Sequence, residues 1–423
     1  MTAAVAPPAS GRARWSLAVT RAAALAVLIG AVTSPPLAVL AAVFMLLGFA
    51  LLPDALARLR RVLREPLGRA WLLFVATLLV AFAVGLARDP ASALRGLWDW
   101  RHLLLLLVGL AVFDEVAARR RLALGFIVFA ALAATASLVM LAQGIAYKDG
   151  HAPGVLLRNT VTQALTFAVG AYLALLLAAT RQVAQPAARA ASALAGLGLL
   201  AMLVFAQTGR SGSLALLVMA AVSALLLLRG RARVAALLAL PLLAASVYAA
   251  SPLLQQRFEQ GLHEARNAAQ LEEYTSMGIR VVIWQTTAEL VRQRPWLGTG
   301  LGGFPAAYAA EIKTHYADGW KATPTADPHN QYLFLWAEAG ALGLAGFLAL
   351  LLGCLRQPAP APYRAAGLAL LAAWCTTSLF SSHFTTFNEG QLIAVLLGAM
   401  LASAPRPPSG SSAGADAAPT SIA

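Results

Sequence analysis

The chain has 423 residues, 60% of them hydrophobic and only 12% charged, with a formal net charge of +14. A soluble domain carries about 25% charged residues, and a soluble core has no room for such an apolar excess, so a bilayer is the expected solvent. The basic residues lie between apolar runs and form no single patch, which argues against nucleic acid as their partner.

Runs rich in Leu and Ala recur at the length that crosses hydrocarbon, roughly 20 residues per helix. Inside lipid every backbone N–H and C=O needs an internal partner, so these runs are expected to be helices. Alternating strands of a membrane barrel are not seen. The pattern predicts an all-α integral membrane protein with about twelve transmembrane helices. They fall at 15–33, 36–52, 71–87, 100–116, 122–144, 160–180, 190–207, 213–228, 234–250, 331–353, 364–382 and 388–402. Residues 1–14 precede them as a cytoplasmic tail. Arg12 and Arg14 lead into the first span with no clear small-residue cleavage site, so that span is expected to be retained. Spans 1 to 9 occupy 15–250, and a long, partly helical loop occupies 251–330 between spans 9 and 10. Spans 10 to 12 occupy 331–402, and residues 403–423, rich in Pro, Ser, Gly and Ala, read as a disordered cytoplasmic tail.

Orientation follows from the basic residues of the short loops. With the N-terminus in the cytoplasm, the inner segments hold about eighteen, among them Arg119-Arg120-Arg121 and Arg406, against about six outside. The 251–330 loop then faces the non-cytoplasmic side. Within it, Gly278 to Leu297 has helical spacing, with Ile279, Ile283, Leu290 and Val291 on one face. Pro295 closes that helix, and Gly298, Gly300, Gly302 and Gly303 follow as a flexible turn. Cys354 and Cys375 fall in or beside spans and read as small apolar fillers, with no disulfide or metal site expected.

Polar residues at the outer helix ends are the candidates for chemistry. Thr208-Gly209-Arg210-Ser211-Gly212 sits between two apolar spans. An arginine at a membrane boundary is costly and marks a functional site by default; the plainer alternative is a snorkelling side chain that caps a hairpin. The two glycines permit a tight turn and close approach to a ligand. Gly278-Ile279-Arg280 opens the loop helix, where an N-terminus and a guanidinium both favour phosphate oxygens; a solvated surface arginine is the alternative. Asp327-Pro328-His329-Asn330 precedes span 10 and places an imidazole at the boundary, fit to act as a base on a sugar hydroxyl or to serve only the structure. Asp327 or Glu338 is expected to orient the ring. Arg158-Asn159, His383 with Asn388 and Glu389, and Arg101-His102 are weaker candidates that read first as structural. No His-Glu-x-x-His, paired-cysteine or P-loop motif appears, nor an Asp-x-Asp on the outer side to hold a divalent cation. A diphosphate leaving group would therefore rely on cationic side chains.

Three features together resemble the bacterial O-antigen ligase family, within the larger group that also holds O-antigen polymerases and protein O-oligosaccharyltransferases. They are Thr-Gly-Arg-Ser-Gly at 208–212, the block from Gly278-Ile279-Arg280 through Pro295-Trp296-Leu297-Gly298-Thr299-Gly300-Leu301-Gly302, and His329-Asn330 with Gly340 downstream. The resemblance covers about residues 158–400 in motifs. It implies transfer of an O-antigen glycan from undecaprenyl diphosphate to the lipid A-core oligosaccharide, at the periplasmic face of the bacterial inner membrane, with no cofactor and no metal. In that reading the 251–330 loop is periplasmic. Arg210 and Arg280 hold the diphosphate, His329 receives the acceptor's proton or positions its hydroxyl, and Arg158, Asn330, Ser211 and Gly300 are expected to bind substrate. A polymerase would spread its outer arginines over two large loops, and a protein-directed transferase would carry a further C-terminal domain. A lipid or solute transporter would place charges near mid-bilayer. The middle segments of the spans are nearly free of charge, with Arg21, near the inner end of its helix, as the exception.

Overall fold

The computed structural model describes residues 11–148, 150–206, 209–267 and 275–404. Among these residues the chain is helical and contains no strand. The Arg210 side chain, Thr208, Arg406 and most of the two tails lie outside the described part. The first half comprises α1 (Gly11–Thr33), α2 (Pro35–Ala50), α3 (Ala55–Arg64), α4 (Pro66–Leu86), α5 (Pro90–Asp99), α6 (His102–Val112), α7 (Val116–Ala142) and α8 (Thr160–Ala179). Then come α9 (Pro186–Phe205), α10 (Arg210–Leu227), α11 (Gly230–Ala250), α12 (Pro252–Asn267), α13 (Ser276–Gln293) and α14 (Phe304–His315). The last three are α15 (Gln331–Arg356), α16 (Tyr363–Thr377) and α17 (Phe387–Met400).

Local chemistry sets many of the boundaries. Proline opens α2, α4, α5 and α9, where its missing N–H costs nothing. Asp89, Asn159, Thr275 and Asn330 cap α5, α8, α13 and α15 with side-chain oxygens.

All twelve expected apolar segments are helical. By length and composition, however, seven helices among the described residues suffice to cross a membrane, namely α1, α4, α7, α8, α9, α11 and α15, with an eighth if α2 and α3 form one span bent by 101°. The shortfall has a physical cause. Helix α17 has 14 residues, about 21 Å of rise, and Asn388 to Met400 are all buried. Helix α6, with 11 residues, is buried almost throughout. Such helices are covered by protein, so their length need not match the lipid. The opposite case is α11, which has no buried residue and exposes Leu238, Leu242 and Leu243 at 64%, 70% and 58%. An apolar rod of this kind is stable only in lipid or against another apolar surface, so the protein is a multi-pass membrane protein.

Helix α8 runs through the centre, packed on α7, α9 and α10; α10 also lies along α16, α17 on α6, and α4 on α15. At one end Asp114 binds Arg21, Arg58 and Arg61 at 3.1–3.4 Å, tying α1 and α3 to the α6–α7 turn. Arg119, counted above among the loop arginines, is fully buried and donates to the carbonyls of Phe113 and Ala402. It thereby closes carbonyls left open beyond α6 and α17.

The 251–330 segment holds α12, α13 and α14. Val282, Ile283, Leu290 and Val291 of α13 pack with Phe304, Tyr308 and Ile312 of α14 and with Ala337 of α15. The predicted apolar face of α13 is thus its buried face, with Ile279 at its margin.

Helix α15 is broken at Gly340, where φ is +66° and ψ −170°. The glycine-rich stretch fills the break. Thr299 and Gly300 donate N–H to the carbonyls of Ala337 and Glu338 at 2.7 and 2.8 Å, and Ala341 and Leu342 donate to those of Pro295 and Trp296. The Leu301 N–H reaches the Ala81 carbonyl of α4. What reads as a flexible turn is therefore a plug that satisfies the polar groups of an interrupted helix, as lipid requires.

Candidate functional site

Five chain segments border one cavity of about 750 Å³. They are the starts of α8, α10 and α13, the turn carrying His329, and the segment from the end of α16 into α17. Three helix N-termini thus open on one space, and each concentrates partial positive charge and N–H donors. At α10 the cap is Gly209, which offers no side-chain oxygen to the first N–H groups.

The glycines of 209–212 act on the packing of α10. A Cβ at Gly212 would stand 2.6 Å from the Ala164 carbonyl oxygen, and one at Gly209 would stand 2.7 Å from the Ala164 Cβ. They bring α10 against α8, and the expected close approach to a ligand is in the structure an approach to a neighbouring helix. Gly209 and Ser211, the chain neighbours of Arg210, both border the cavity.

Arg280 borders the cavity one turn into α13, and its Nη1 donates to Ser276 Oγ at 2.5 Å and to the Ser276 carbonyl at 2.9 Å. One turn further, the Trp284 indole N–H donates to the Pro328 carbonyl at 2.9 Å. Residues four apart share a helix face. The Trp284 bond therefore turns the Arg280 face toward the residue after Pro328, which is His329.

His329 has φ +53°, one of two non-glycine residues with positive φ among those described. Asp327 holds it there. One carboxylate oxygen accepts the His329 backbone N–H at 2.8 Å and the Ser382 hydroxyl at 2.6 Å. The other lies 4.0 Å from Nδ1, too far for a hydrogen bond but close enough to attract an imidazolium. Left-handed backbone costs a non-glycine residue of order 1 kcal/mol and gathers at functional sites. Of the two carboxylates expected to orient the ring, Asp327 stands beside it. Glu338 is buried at the glycine plug and accepts the Phe304 N–H.

Three of the expected substrate-binding residues lie elsewhere. Asn330 caps α15, accepting from the N–H groups of Tyr332 and Leu333 at 3.0 and 3.1 Å and donating to the Leu379 carbonyl. Asn330→Ala is expected to lower stability by about 1 kcal/mol, readable as a fall in Tm of the detergent-solubilised protein. Gly300 has φ +86° and the Gly85 backbone lies where its Cβ would be, so glycine is required there and it belongs to the plug. Arg158 is exposed, with its backbone N–H on the Val32 carbonyl, and does not border the cavity. Arg101, over the rings of Trp98 and Phe387, and the buried His102 also stand apart from it.

His383 and Glu389, read from the sequence as structural, do border the cavity, with Asn159. Glu389 accepts the hydroxyl of Thr162 on α8 at 2.6 Å and that of Thr386 at 2.8 Å. Neither His383 ring nitrogen has a hydrogen-bond partner. No spacing rule joins residues 159, 329 and 389, so only the fold reveals them as neighbours of one space.

Residues 195–348 match the family model for O-antigen ligase, a stretch running from α9 into α15 that includes Arg210, Arg280 and His329. Over this stretch the chain is similar to the O-antigen ligase family. A comparison with curated proteins found no match. The family acts on lipid-linked glycans as ligases and polymerases, in keeping with a multi-pass protein whose polar cavity opens among helix ends.

Proposed function

We propose that the protein is an O-antigen ligase, which transfers O-antigen polysaccharide from undecaprenyl diphosphate to the lipid A-core oligosaccharide. In this reading it has twelve spans, and the 251–330 segment and the cavity face the periplasm across the inner membrane. The observation that carries the proposal is the meeting of Arg280 and His329 at one cavity where three helices begin.

The reaction is an inverting single displacement. A hydroxyl oxygen of the acceptor sugar attacks the anomeric carbon of the donor glycan as the bond from that carbon to the phosphate oxygen breaks. The electron pair of that bond leaves with undecaprenyl diphosphate, and the hydroxyl proton passes to the His329 imidazole. Arg280 and Arg210 neutralise the charge gathering on the diphosphate, helped by the N–H groups at the start of α10. Arginine suits this role because it stays charged and forks onto phosphate oxygens. No divalent cation is needed in this scheme, since fixed cationic groups do its work. Holding both lipid-linked partners at the membrane surface lowers the entropic barrier.

Purified protein, a lipid-linked O-antigen donor and rough lipopolysaccharide, without added metal or nucleotide, test the proposal on a gel. Glycan should move onto the lipopolysaccharide. His329→Ala should slow that transfer by on the order of 100-fold, as loss of a general base does. Longer glycan retained on the carrier would make the protein a polymerase. Donor and acceptor both unchanged would overturn the ligase reading.

A further inference from the structure

Two chemically different sets of side chains border the cavity. At the start of α13 lies Arg280, and at the start of α10 lie Gly209 and Ser211, the chain neighbours of Arg210. In the segment that ends α16 and begins α17 lie Ser381, His383, Thr386 and Glu389, with Asp327 bonded to the neighbouring Ser382. A diphosphate is drawn to the first set and repelled by the carboxylates of the second. A sugar hydroxyl, which is neutral and both gives and accepts hydrogen bonds, suits the second.

His383 is 1% exposed, and both of its ring nitrogens lack a protein partner. Buried polar atoms in native proteins are almost always paired, so two orphans on one ring at a cavity need an explanation. Burial lowers the pKa of this imidazole, and Glu389 and Asp327 oppose the shift only in part. The neutral ring offers one N–H and one lone pair, the complement of a hydroxyl. Glu389 is held in place by two threonine hydroxyls, one from α8 and one from its own turn.

Resting on the ligase reading, we propose that His383 and Glu389 form the acceptor subsite, binding hydroxyls of the core sugar while Arg280 and Arg210 hold the donor diphosphate. The subsite positions the attacking hydroxyl for His329 and selects a neutral polyol over a second phosphate-bearing chain.

The test is steady-state transfer with the lipid-linked donor and rough lipopolysaccharide varied in turn. His383→Ala should raise the acceptor KM about tenfold, the worth of one hydrogen bond, and leave the donor KM unchanged. Arg280→Ala should do the reverse. Glu389→Gln keeps the shape of the side chain and should also raise the acceptor KM, which covers the case where His383→Ala fails to fold. An unchanged acceptor KM in the folded variants, or equal rises for both substrates, would overturn the assignment and leave the ligase reading intact. Absence of transfer by the unaltered protein would overturn both.

Discussion

Arg280→Ala is expected to cut glycan transfer by at least about 100-fold, the usual loss when a fixed group that stabilises developing charge is removed. The variant should insert and fold. Helix α13 is held by Val282, Ile283, Leu290 and Val291 in its apolar core and by the Trp284 bond to Pro328, none of which involves the guanidinium. Arg280→Lys restores the charge but not the planar fork, so it should recover little if two phosphate oxygens are gripped at once. Arg210→Ala should behave in the same way. Transfer rates and donor KM, read beside Tm, separate lost chemistry from lost structure. Substantial transfer by both alanine variants would remove the arginines from the diphosphate site.

The second large effect is on the fold. Gly340→Ala forces a side chain onto a residue at φ +66° and drives its Cβ into the Trp296 carbonyl. Strain of about 1–3 kcal/mol adds to a clash with backbone that is itself pinned by four hydrogen bonds across the α15 break. A loss of more than about 3 kcal/mol is therefore expected, enough to abolish a folded peak on size exclusion. Gly198→Ala, on α9 with nothing within 4 Å of the new Cβ, should be tolerated and serves as the control. A Gly340→Ala protein as stable as the parent would mean that the break and its plug are not required.

Much of the architecture was legible because hydrophobic length is a local property. Each of the twelve apolar segments is a helix, and α13 buries the face its spacing predicts. The expected number of spans rests on the same signal and meets its limit there. Hydropathy reads Phe387–Met400 as apolar whether lipid or protein surrounds it, and in the fold protein surrounds it. The glycine-rich stretch shows the same limit. Its composition announces unusual backbone freedom, but the segment it serves, around Gly340, lies about forty residues downstream. Within the long loop the sequence pattern singled out α13 alone, and α12 and α14 emerge only in the fold.

The sequence by itself determined the solvent and the helical class, and it singled out the three residues on which the proposed chemistry rests, Arg210, Arg280 and His329. It could do so because membrane partition and the cost of an arginine or histidine at a bilayer edge depend on the residue and its immediate neighbours. Only the tertiary structure decided which polar residues share a space. It brought His383 and Glu389 to the cavity with Arg280 and His329, set Asp327 and not Glu338 beside the imidazole, and left Arg158, Gly300 and Asn330 outside the cavity lining. Those outcomes depend on hydrogen bonds such as Thr162 to Glu389, which join residues 227 positions apart. Helix packing creates such contacts, and no local pattern along the chain encodes them.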